Sequence, residues 1–270
     1  MDVIICADDA QVGAYAAAKV AKVARAVAQV GRNVVLGVAT GSSPLATYTA
    51  LASLIERGKL DLSAASAFAL DEYVGLPVGH PESYREVIRR TVLEPLGLRP
   101  ERVHVPDGFA ADLERAAADY ERAIRDAGGV DVQILGVGSN GHIGFNEPTS
   151  SLSSRTRIKT LTEQTRRDNT RFFGSLEQVP KHCLTQGLGT IMEARYCVLV
   201  ASGAGKAAAV RAVVEGPITA MCPGSVLQLH QRATIIVDEA AAAELELAGY
   251  YRQLYADLPD WQRVELELAE

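Results

Sequence analysis

Long apolar segments and a basic leader are both missing from this 270-residue chain. No run of apolar residues approaches the roughly 20 that a membrane-spanning helix needs, so we predict no membrane insertion. The first residues, MDVIICADDAQVG, carry acidic side chains and no cluster of positive charge, unlike a secretory or transit signal. The sequence therefore predicts a cytoplasmic protein.

An excess of positive charge and a cysteine framework are missing as well. The formal net charge is −6, and no basic stripe with interleaved aromatic residues occurs, so we predict no general attraction for nucleic acid or anionic membranes. Four cysteines are present, without a C-x-x-C pair. We expect them to be reduced and mostly packed in the interior; they are Cys6, Cys183, Cys197 and Cys222.

What the chain does contain is an alternation of short apolar runs with longer amphipathic stretches, typical of repeated βα units. Strands are predicted at residues 3–6, 33–38, 66–70, 132–137, 196–201 and 234–237, and helices at 10–30, 45–57, 84–93, 112–126, 205–214 and 239–255. No repeat or linker divides them. We therefore predict one α/β domain over residues 1–270, a single doubly wound, largely parallel sheet with helices on both faces, like a Rossmann fold.

Small hydroxyl residues follow the second predicted strand, at a place where doubly wound folds bind ligands. The segment reads TGSSP at positions 40–44 and precedes a predicted helix. Gly41, Ser42 and Ser43 would let backbone N–H groups and hydroxyls approach an anion, and the helix N-terminus adds partial positive charge. The alternative is that the segment only turns the chain and caps the helix. It is not a nucleotide P-loop, because no lysine follows the glycine.

A second glycine turn, ASGAGKA at positions 201–207, repeats this arrangement between a predicted strand and a predicted helix. It adds a cation, Lys206, next to the turn. Such a lysine either contributes to an anion site or simply faces the solvent.

An acidic pair ends the third predicted strand, where SAFAL is followed by Asp71 and Glu72. A carboxylate at the end of a buried strand is partly desolvated, and the resulting rise in pKa makes it a stronger base for removing a proton from carbon. The same residues could instead hold a turn through their side chains. Position alone does not decide between these roles.

The segment LGVGSNGHIGFNEP at positions 135–148 follows the fourth predicted strand. Its glycines match G-x-G-x-x-G, but a dinucleotide-binding turn should open a helix, and the later Gly144 and Pro148 favour an irregular loop instead. A metal site is disfavoured because His142 and Glu147 lack further ligands at a recognisable spacing. We therefore expect neither a nucleotide cofactor nor a metal.

Three polar side chains of this loop point to acid/base chemistry. Asn140, His142 and Glu147 lie within eight residues of one another on backbone rich in glycine. An imidazole close to a carboxylate is a common arrangement for a catalytic acid or base. A lone histidine would more often be structural, but this combination at a strand end favours catalysis.

Taken together, the motifs resemble the glucosamine-6-phosphate deaminase family. The resemblance covers most of the chain and rests on TGSSP at 40–44, LDEYVGLP at 70–77 followed by HPESY, GHIGFNEP at 141–148, SSRTRIKTLT at 153–162 and TRFF at 170–173. It implies an aldose–ketose isomerising deaminase that converts glucosamine 6-phosphate and water to fructose 6-phosphate and ammonia. It also implies that no metal or organic cofactor takes part.

The resemblance assigns roles to individual residues. It implies that Asp71 moves the proton from C2 to C1, that His142 is the base that opens the sugar ring, and that Glu147 pairs with this histidine. The positions that match phosphate-binding residues of the family are Gly41, Ser42, Ser43, Arg171 and Lys206.

Asn140 departs from the commoner family pattern, because many relatives have aspartate there, although asparagine is also a recurrent variant. An amide can orient His142 through hydrogen bonds but adds no negative charge to stabilise an imidazolium ion. We therefore expect Glu147 to supply that charge, and we expect the pH dependence of ring opening to differ from that of the aspartate relatives.

The resemblance also suggests regulation and assembly. Some relatives are hexamers that bind N-acetylglucosamine 6-phosphate between subunits as an activator, and the matching positions here are Ser150, Arg157, Lys159 and Thr160. The alternative is that the cations form the solvent face of a strand, since they alternate with Thr156 and Ile158.

Two other functions are compatible with a sugar-phosphate cradle on this kind of fold. A 6-phosphogluconolactonase would share the cradle but hydrolyse a lactone, and LDEYVGLP with GHIGFNEP disfavours it. A sugar-phosphate sensor of a transcription regulator would carry a helix-turn-helix segment, and the sequence shows no additional basic domain. The presence of Asp71, His142 and Glu147 together also favours an enzyme over a sensor.

Overall fold

The computed structural model describes residues 1–259; residues 260–270 of the predicted domain lie outside them. The strands are β1 (Asp2–Cys6), β2 (Val35–Val38), β3 (Ser66–Ala69), β4 (Asp71–Tyr73), β5 (Val103–His104), β6 (Val132–Leu135), β7 (Arg157–Thr160), β8 (His182–Thr185), β9 (Tyr196–Ala201) and β10 (Ala233–Asp238). The α-helices are α1 (Asp9–Gln29), α2 (Leu45–Glu56), α3 (Tyr84–Ile88), α4 (Leu113–Asp126), α5 (Glu163–Phe173), α6 (Leu188–Met192), α7 (Ala207–Val214) and α8 (Ala248–Ala256).

The main sheet has seven parallel strands in the order β1-β10-β9-β6-β2-β3-β5. The prediction of a doubly wound, largely parallel α/β fold is confirmed. All six predicted strands occur in this sheet, and the two-residue edge strand β5 is an addition. Among the described residues, no helix is both long and apolar enough to span a membrane.

Two hydrophobic cores lie on opposite faces of the main sheet, because successive side chains of a strand point to opposite faces. Leu36 and Val38 of β2 pack with residues of α1 and α2, such as Val20. Val35, on the other face, belongs to the core formed with α4 and α7, which includes Ile124. Burial on both faces explains why these strands read as continuous apolar runs without polar alternation.

A second sheet, antiparallel and three-stranded in the order β4-β8-β7, adds to the single sheet that the sequence predicts. β4 begins with two carboxylates and β7 carries two cations, so the composition of these segments does not indicate strands. A small core with Tyr73, Phe145 and Phe173 packs against this sheet. The two sheets are adjacent in the chain, because only Leu70 separates β3 of the main sheet from β4 of the second sheet.

Several helix bounds differ from the prediction. The helix predicted at 84–93 is α only through Ile88 and continues as a π-helix, Arg89–Leu93. The helix predicted at 239–255 begins only at Ala248, because side-chain carboxylates hold the preceding backbone in turns. Asp238 accepts a hydrogen bond from the N–H of Ala241 (2.7 Å), and Glu215 accepts one from the N–H of Leu247 (2.9 Å). Helices α5 and α6 were not predicted.

The strand order reverses between β2 and β6. From β2 the chain proceeds outward through β3 to β5, and from β6 it proceeds in the other direction through β9 to β10. The first strand of the chain, β1, forms the edge beyond β10. Ligands in open parallel sheets bind at such a switch point, outside the carboxyl ends of the strands. The segments that leave β2 and β6 there are TGSSP and the 135–148 loop, so the fold brings the two motifs together.

Candidate active site

A cleft at this switch point encloses about 750 Å³, a volume that includes the open solvent at its mouth. The predicted site residues that line it are Gly41, Ser42, Ser43, Asp71, His142, Arg171 and Lys206. They come from the ends of β2, β3, β6 and β9 and from α5. Asn140 and Glu147 lie behind His142, away from the cleft surface.

The TGSSP turn does not cap its helix with a side chain. The N-cap of α2 is Pro44, one position before the predicted first helical residue, and its first turn receives no side-chain hydrogen bond. The N-terminus of α2 therefore retains unpaired N–H groups and its partial positive charge, which favour an anion beside Ser42 and Ser43. The segment turns the chain and pairs the N–H of Leu45 with the carbonyl of Ser42 (3.3 Å), and the absence of a side-chain cap favours an additional role in anion binding.

Two cations line the same cleft as that turn. The Nζ atom of Lys206 donates a hydrogen bond to the carbonyl of Val137 (2.8 Å), which holds the ammonium group at the cleft. Burial and the neighbouring Arg171 lower the pKa of Lys206, and Asp168 opposes this effect. Arg171 is exposed on α5, with its guanidinium group over the ring of Phe172 at 4.7 Å. A phosphate bound at the turn would face both charges.

Asp71 is the first residue of β4 and is only 4% exposed. Burial and the nearby Glu72 raise its pKa to about 8, although a hydrogen bond from the backbone of Phe145 acts in the opposite direction. Gly144 approaches this carboxyl group so closely that a Cβ atom there would lie 3.5 Å from Oδ2 of Asp71 and 3.2 Å from Oγ1 of Thr185. The cleft therefore contains a desolvated carboxyl group with raised basicity.

Glu72, the neighbouring carboxylate, has a structural role. Its Oε1 accepts hydrogen bonds from the N–H groups of Tyr73 and Tyr84, both at 2.8 Å, and its Oε2 accepts one from Arg85 at 2.9 Å. It is fully buried and holds the first turn of α3 against β4. The two acidic residues therefore differ: the carboxylate of Glu72 accepts hydrogen bonds from backbone N–H groups, whereas that of Asp71 lines the cleft.

His142, Asn140 and Glu147 form a hydrogen-bonded relay. Nδ1 of His142 lies 2.6 Å from Oδ1 of Asn140, and Nδ2 of Asn140 donates to Oε2 of Glu147 at 2.9 Å. The direct distance from Nδ1 to Oε2 of Glu147 is 3.6 Å, too long for a hydrogen bond. Asn140 is therefore the immediate partner of the imidazole, and Glu147 acts on it mainly through the amide.

The relay fixes the tautomer of His142. The carboxylate of Glu147 only accepts, so the amide nitrogen of Asn140 faces it and the amide oxygen faces the imidazole. Nδ1 consequently carries the proton and Nε2 carries the lone pair. Burial lowers the pKa of His142, whereas Glu147 raises it. The ring also packs on Gly138, where a Cβ atom would overlap it at 2.1 Å.

Glu147 is held in its ionised form. Burial by itself raises the pKa of this carboxyl group, but hydrogen bonds from Thr165, Asn140 and Thr162 and the nearby imidazole bring it below its ordinary value. Both the N–H and the hydroxyl of Thr162, the N-cap of α5, lie 3.2 Å from Oε1. The start of α5 is therefore attached to the relay.

The 135–148 segment does not have the form of a dinucleotide-binding turn. After Leu135 the chain passes through turns and bends as far as β7, and no helix begins at Gly141. Within residues 1–259, no group of three or more His, Cys, Asp or Glu side chains is arranged to hold a metal ion.

The four candidate effector residues lie apart from the cleft lining. Arg157, Lys159 and Thr160 belong to β7, and Ser150 is buried at the end of the 135–148 loop. The alternative of a solvent-facing cationic strand surface is contradicted, because Ile158 is 43% exposed whereas Arg157 and Lys159 are partly buried. Arg157 donates to Oδ1 of Asn146 at 2.8 Å and takes part in none of the ion pairs found within residues 1–259.

The cleft is also lined by polar residues to which the sequence assigns no role: Thr40, Tyr84, Thr165, Asp168 and Asn169. Asn169 donates to the hydroxyl of Tyr73 (3.0 Å), and Ser139 donates to Asp168 (3.2 Å), so α5 is attached to the rest of the site at two points. The motif HPESY ends with Tyr84, and TRFF directly follows Asn169, but nothing in the spacing of these motifs indicates which side chains face a ligand.

Comparison with known proteins agrees with this arrangement. The family described as "Glucosamine-6-phosphate isomerases/6-phosphogluconolactonase" matches residues 7–236. A glucosamine-6-phosphate deaminase of Streptomyces avermitilis is 60% identical over 246 residues, which cover 90% of this chain and 94% of the relative. One of Cutibacterium acnes is 60% identical over 253 residues, covering 93% of this chain and 95% of the relative.

Solved structures agree as well. A monomeric glucosamine-6-phosphate deaminase is 38% identical, with a TM-score of 0.86 over 90% of this chain and 100% of the other. A 6-phosphogluconolactonase from Trypanosoma cruzi shares the fold at 20% identity, with a TM-score of 0.70 over 91% of this chain and 97% of the other. The chain belongs to the family of glucosamine-6-phosphate isomerases and 6-phosphogluconolactonases.

Proposed function

We propose that this protein is a glucosamine-6-phosphate deaminase, which converts glucosamine 6-phosphate and water to fructose 6-phosphate and ammonia in amino-sugar catabolism. The observation that carries the proposal is the presence, in one cleft, of a desolvated carboxyl group on Asp71 and an imidazole on His142 whose Nε2 is free to accept a proton. The relatives at 60% identity support the same reaction.

The phosphate of the substrate binds at the end of the cleft formed by the TGSSP turn. Gly41, Ser42 and Ser43 offer backbone and hydroxyl donors at the N-terminus of α2, and Lys206 and Arg171 supply positive charge. This end of the cleft fixes one end of the sugar, so that the reacting carbons reach toward Asp71 and His142.

His142 opens the pyranose ring. Its Nε2 accepts the proton of the C1 hydroxyl and gives it to the ring oxygen as the bond between C1 and the ring oxygen breaks, which yields the open-chain aldehyde. Asn140 holds the imidazole in the reactive tautomer, and the ionised Glu147 stabilises the charge that develops on it.

Asp71 then catalyses the isomerisation. Its carboxylate removes the proton from C2 while the ammonium group of the sugar gives a proton to the C1 oxygen, which forms an enolamine. Asp71 then returns its proton to C1, which leaves a hydroxymethyl group at C1 and an iminium group at C2. Water adds to C2 to form a carbinolamine, and the C–N bond breaks to release ammonia and fructose 6-phosphate. Every step is a proton transfer, an addition or an elimination on the substrate, and the proton transfers are catalysed by side chains of this protein.

The test is to incubate the purified protein with glucosamine 6-phosphate in the absence of added metal and to measure ammonia and fructose 6-phosphate. We expect equal amounts of both products. A matched Asp71→Asn variant should lose about 10²-fold or more of the turnover while binding substrate nearly as well. Hydrolysis of 6-phosphogluconolactone without ammonia release from the amino sugar would contradict the proposal.

We further propose that Ser150, Arg157, Lys159 and Thr160 bind N-acetylglucosamine 6-phosphate as an activator in a homo-oligomer. The support is a buried Ser150 hydroxyl without a hydrogen-bond partner in the described chain and the partly buried Arg157. Sigmoidal kinetics made hyperbolic by this compound are expected. Hyperbolic kinetics that the compound leaves unchanged, in a protein that sediments as a monomer, would exclude this regulation.

We propose the cytoplasm as the location, because a charged phosphate ester does not cross a bilayer unaided and the enzyme must share a compartment with its substrate. Cell fractionation with the deaminase assay tests this, and activity in a membrane or external fraction would contradict it.

A further inference from the structure

The two acid/base groups of the cleft, Asp71 and His142, lie on segments that follow different strands of the main sheet, and these strands are not hydrogen-bonded to each other. Asp71 follows β3, whereas His142 and Glu147 follow β6, and β2 lies between these strands. The loop that carries His142 is irregular, so backbone hydrogen bonds of the main sheet do not set its distance from Asp71. Some other part of the chain must fix that distance.

Gln186, directly after β8, holds the chain just before Asp71. Its backbone N–H donates to the carbonyl of Leu70 at 2.7 Å, and its side-chain Nε2 donates to the carbonyl of Ala69 at 2.9 Å. Gln186 is 1% exposed, so these bonds are shielded from water. The end of β8 is thereby attached to the end of β3.

Asn146 attaches the 135–148 loop to Gln186. Its Nδ2 donates to the carbonyl of Gln186 at 2.8 Å and to the carbonyl of Ile143, next to His142, at 3.0 Å. Its Oδ1 accepts from Arg157, so every polar group of this fully buried amide is paired. Asn146 also precedes Glu147 directly, and it therefore lies between the two ends of the relay.

We infer that Asn146 is a positioning residue that, through Gln186, fixes the loop of His142 and Glu147 relative to Asp71. The inference rests on the proposed function, in which one bound sugar must meet His142 for ring opening and Asp71 for enolisation. A displacement of about 1 Å between reacting groups can reduce turnover by about 10²-fold. The amide link keeps both groups within reach of the same substrate.

The test compares Asn146→Leu, which is close in size but forms none of the three bonds, with the wild-type protein. We expect kcat to fall about 10- to 100-fold, while KM and the inhibition constant for inorganic phosphate stay within about threefold, because the phosphate turn is untouched. The acid limb of the kcat profile should move to lower pH, since a displaced Glu147 no longer raises the pKa of His142.

The matched control is Gln133→Leu. Gln133 is an equally buried amide on β6, and its side chain donates to the carbonyl of Ile134, away from the cleft. Whatever its effect on the thermal midpoint, kcat should stay within about twofold of wild type. If Asn146→Leu does not fold, Gln186→Leu removes the side-chain bond to Ala69 but keeps both backbone bonds of residue 186, and it should reduce kcat in the same direction with KM unchanged.

Wild-type kcat and an unchanged pH profile in Asn146→Leu, or in Gln186→Leu where that variant replaces it, would overturn the positioning role and leave the proposed function intact. Absence of ammonia release by the wild-type protein would instead remove the proposed function, and this inference with it.

Discussion

The carboxyl group of Asp71 shows how a residue can serve chemistry at the expense of stability. Its buried position raises its pKa to about 8, mainly because burial disfavours the charged form. The unfolded chain keeps an ordinary carboxyl pKa near 4, so between these two values the unfolded state releases a proton that the folded state retains. The folded state therefore loses stability as the pH rises through this range and reaches a constant deficit above about pH 8.

Asp71→Asn should accordingly stabilise the protein, because it removes the group that must be ionised in a buried place. Each pKa unit corresponds to about 1.4 kcal/mol, so we expect a rise of several degrees in the thermal midpoint at pH 8.5 and little or no rise at pH 4. Asp126→Asn, at an exposed position on α4, is the control and should change neither value. An equal gain at both pH values would contradict this account of Asp71.

Asn140 sets the pH at which His142 is a base. Asn140→Asp would place negative charge beside Nδ1, where the amide oxygen now lies at 2.6 Å, and would raise the pKa of His142. Because the neutral imidazole opens the ring, the acid limb of kcat/KM should move to higher pH. The measurement is a pH profile of ammonia release with wild type in parallel. A limb that stays in place or moves to lower pH would show that His142 does not control it.

The sequence predicts the residues of the site better than the contacts between them. Asp71, His142 and Glu147 stand out because they follow strands in specific motifs. However, nothing in the order Asp71–Glu72 reveals that the second carboxylate is occupied by backbone N–H groups of a distant turn. Likewise, Asn140 is the direct partner of the imidazole because its Oδ1 lies 2.6 Å from Nδ1 of His142, whereas Oε2 of Glu147 lies 3.6 Å away. The spacing of these residues in the sequence does not predict this difference.

At the scale of elements, α5 is the part of the site that the rest of the fold holds least. Only Thr165 and Phe173 are buried in it, yet it carries Arg171 at the cleft. Hydrogen bonds with Glu147, Ser139 and Tyr73 hold it in place. Few buried contacts and several polar ones are typical of an element that opens at low free energy.

Asn169→Ala should loosen α5 by removing its bond to the Tyr73 hydroxyl. Because Arg171 would then spend less time at the cleft, we expect KM to rise about three- to tenfold with a smaller change in kcat. Steady-state kinetics measure both values. Asn33→Ala, exposed before β2, is the control, and a fall in kcat at constant KM would contradict a role of Asn169 in substrate binding.

Elements that the sequence did not predict are those whose formation depends on distant partners. The antiparallel strands β4, β7 and β8 are short and pair only with one another. In β7 the apolar Ile158 is exposed while Arg157 is turned toward Asn146, the reverse of ordinary amphipathic patterning. By contrast, a strand that is buried on both faces, such as β9, is a continuous apolar run and can be predicted from its own sequence.

At the scale of the whole molecule, the first and the last strand of the main sheet are neighbours. β1 pairs with β10 in parallel, so residues near both ends of the described chain share each core. Dividing the chain at any single position would therefore separate residues that pack in the same core, so the described chain cannot be split into two domains with independent cores. This arrangement supports our proposal that residues 1–270 form one domain.

One cooperative unit with unequal local stability should result, and native-state hydrogen exchange can measure it. Amides of β6, β9 and β10 lie inside the sheet and should exchange only by global unfolding, whereas those of α5 and α8, with two buried residues and none respectively, should exchange through local opening. Adding inorganic phosphate should slow exchange in α5, which carries Arg171, and leave α8 unchanged. Two separate groups of strands with different unfolding free energies would contradict a single domain.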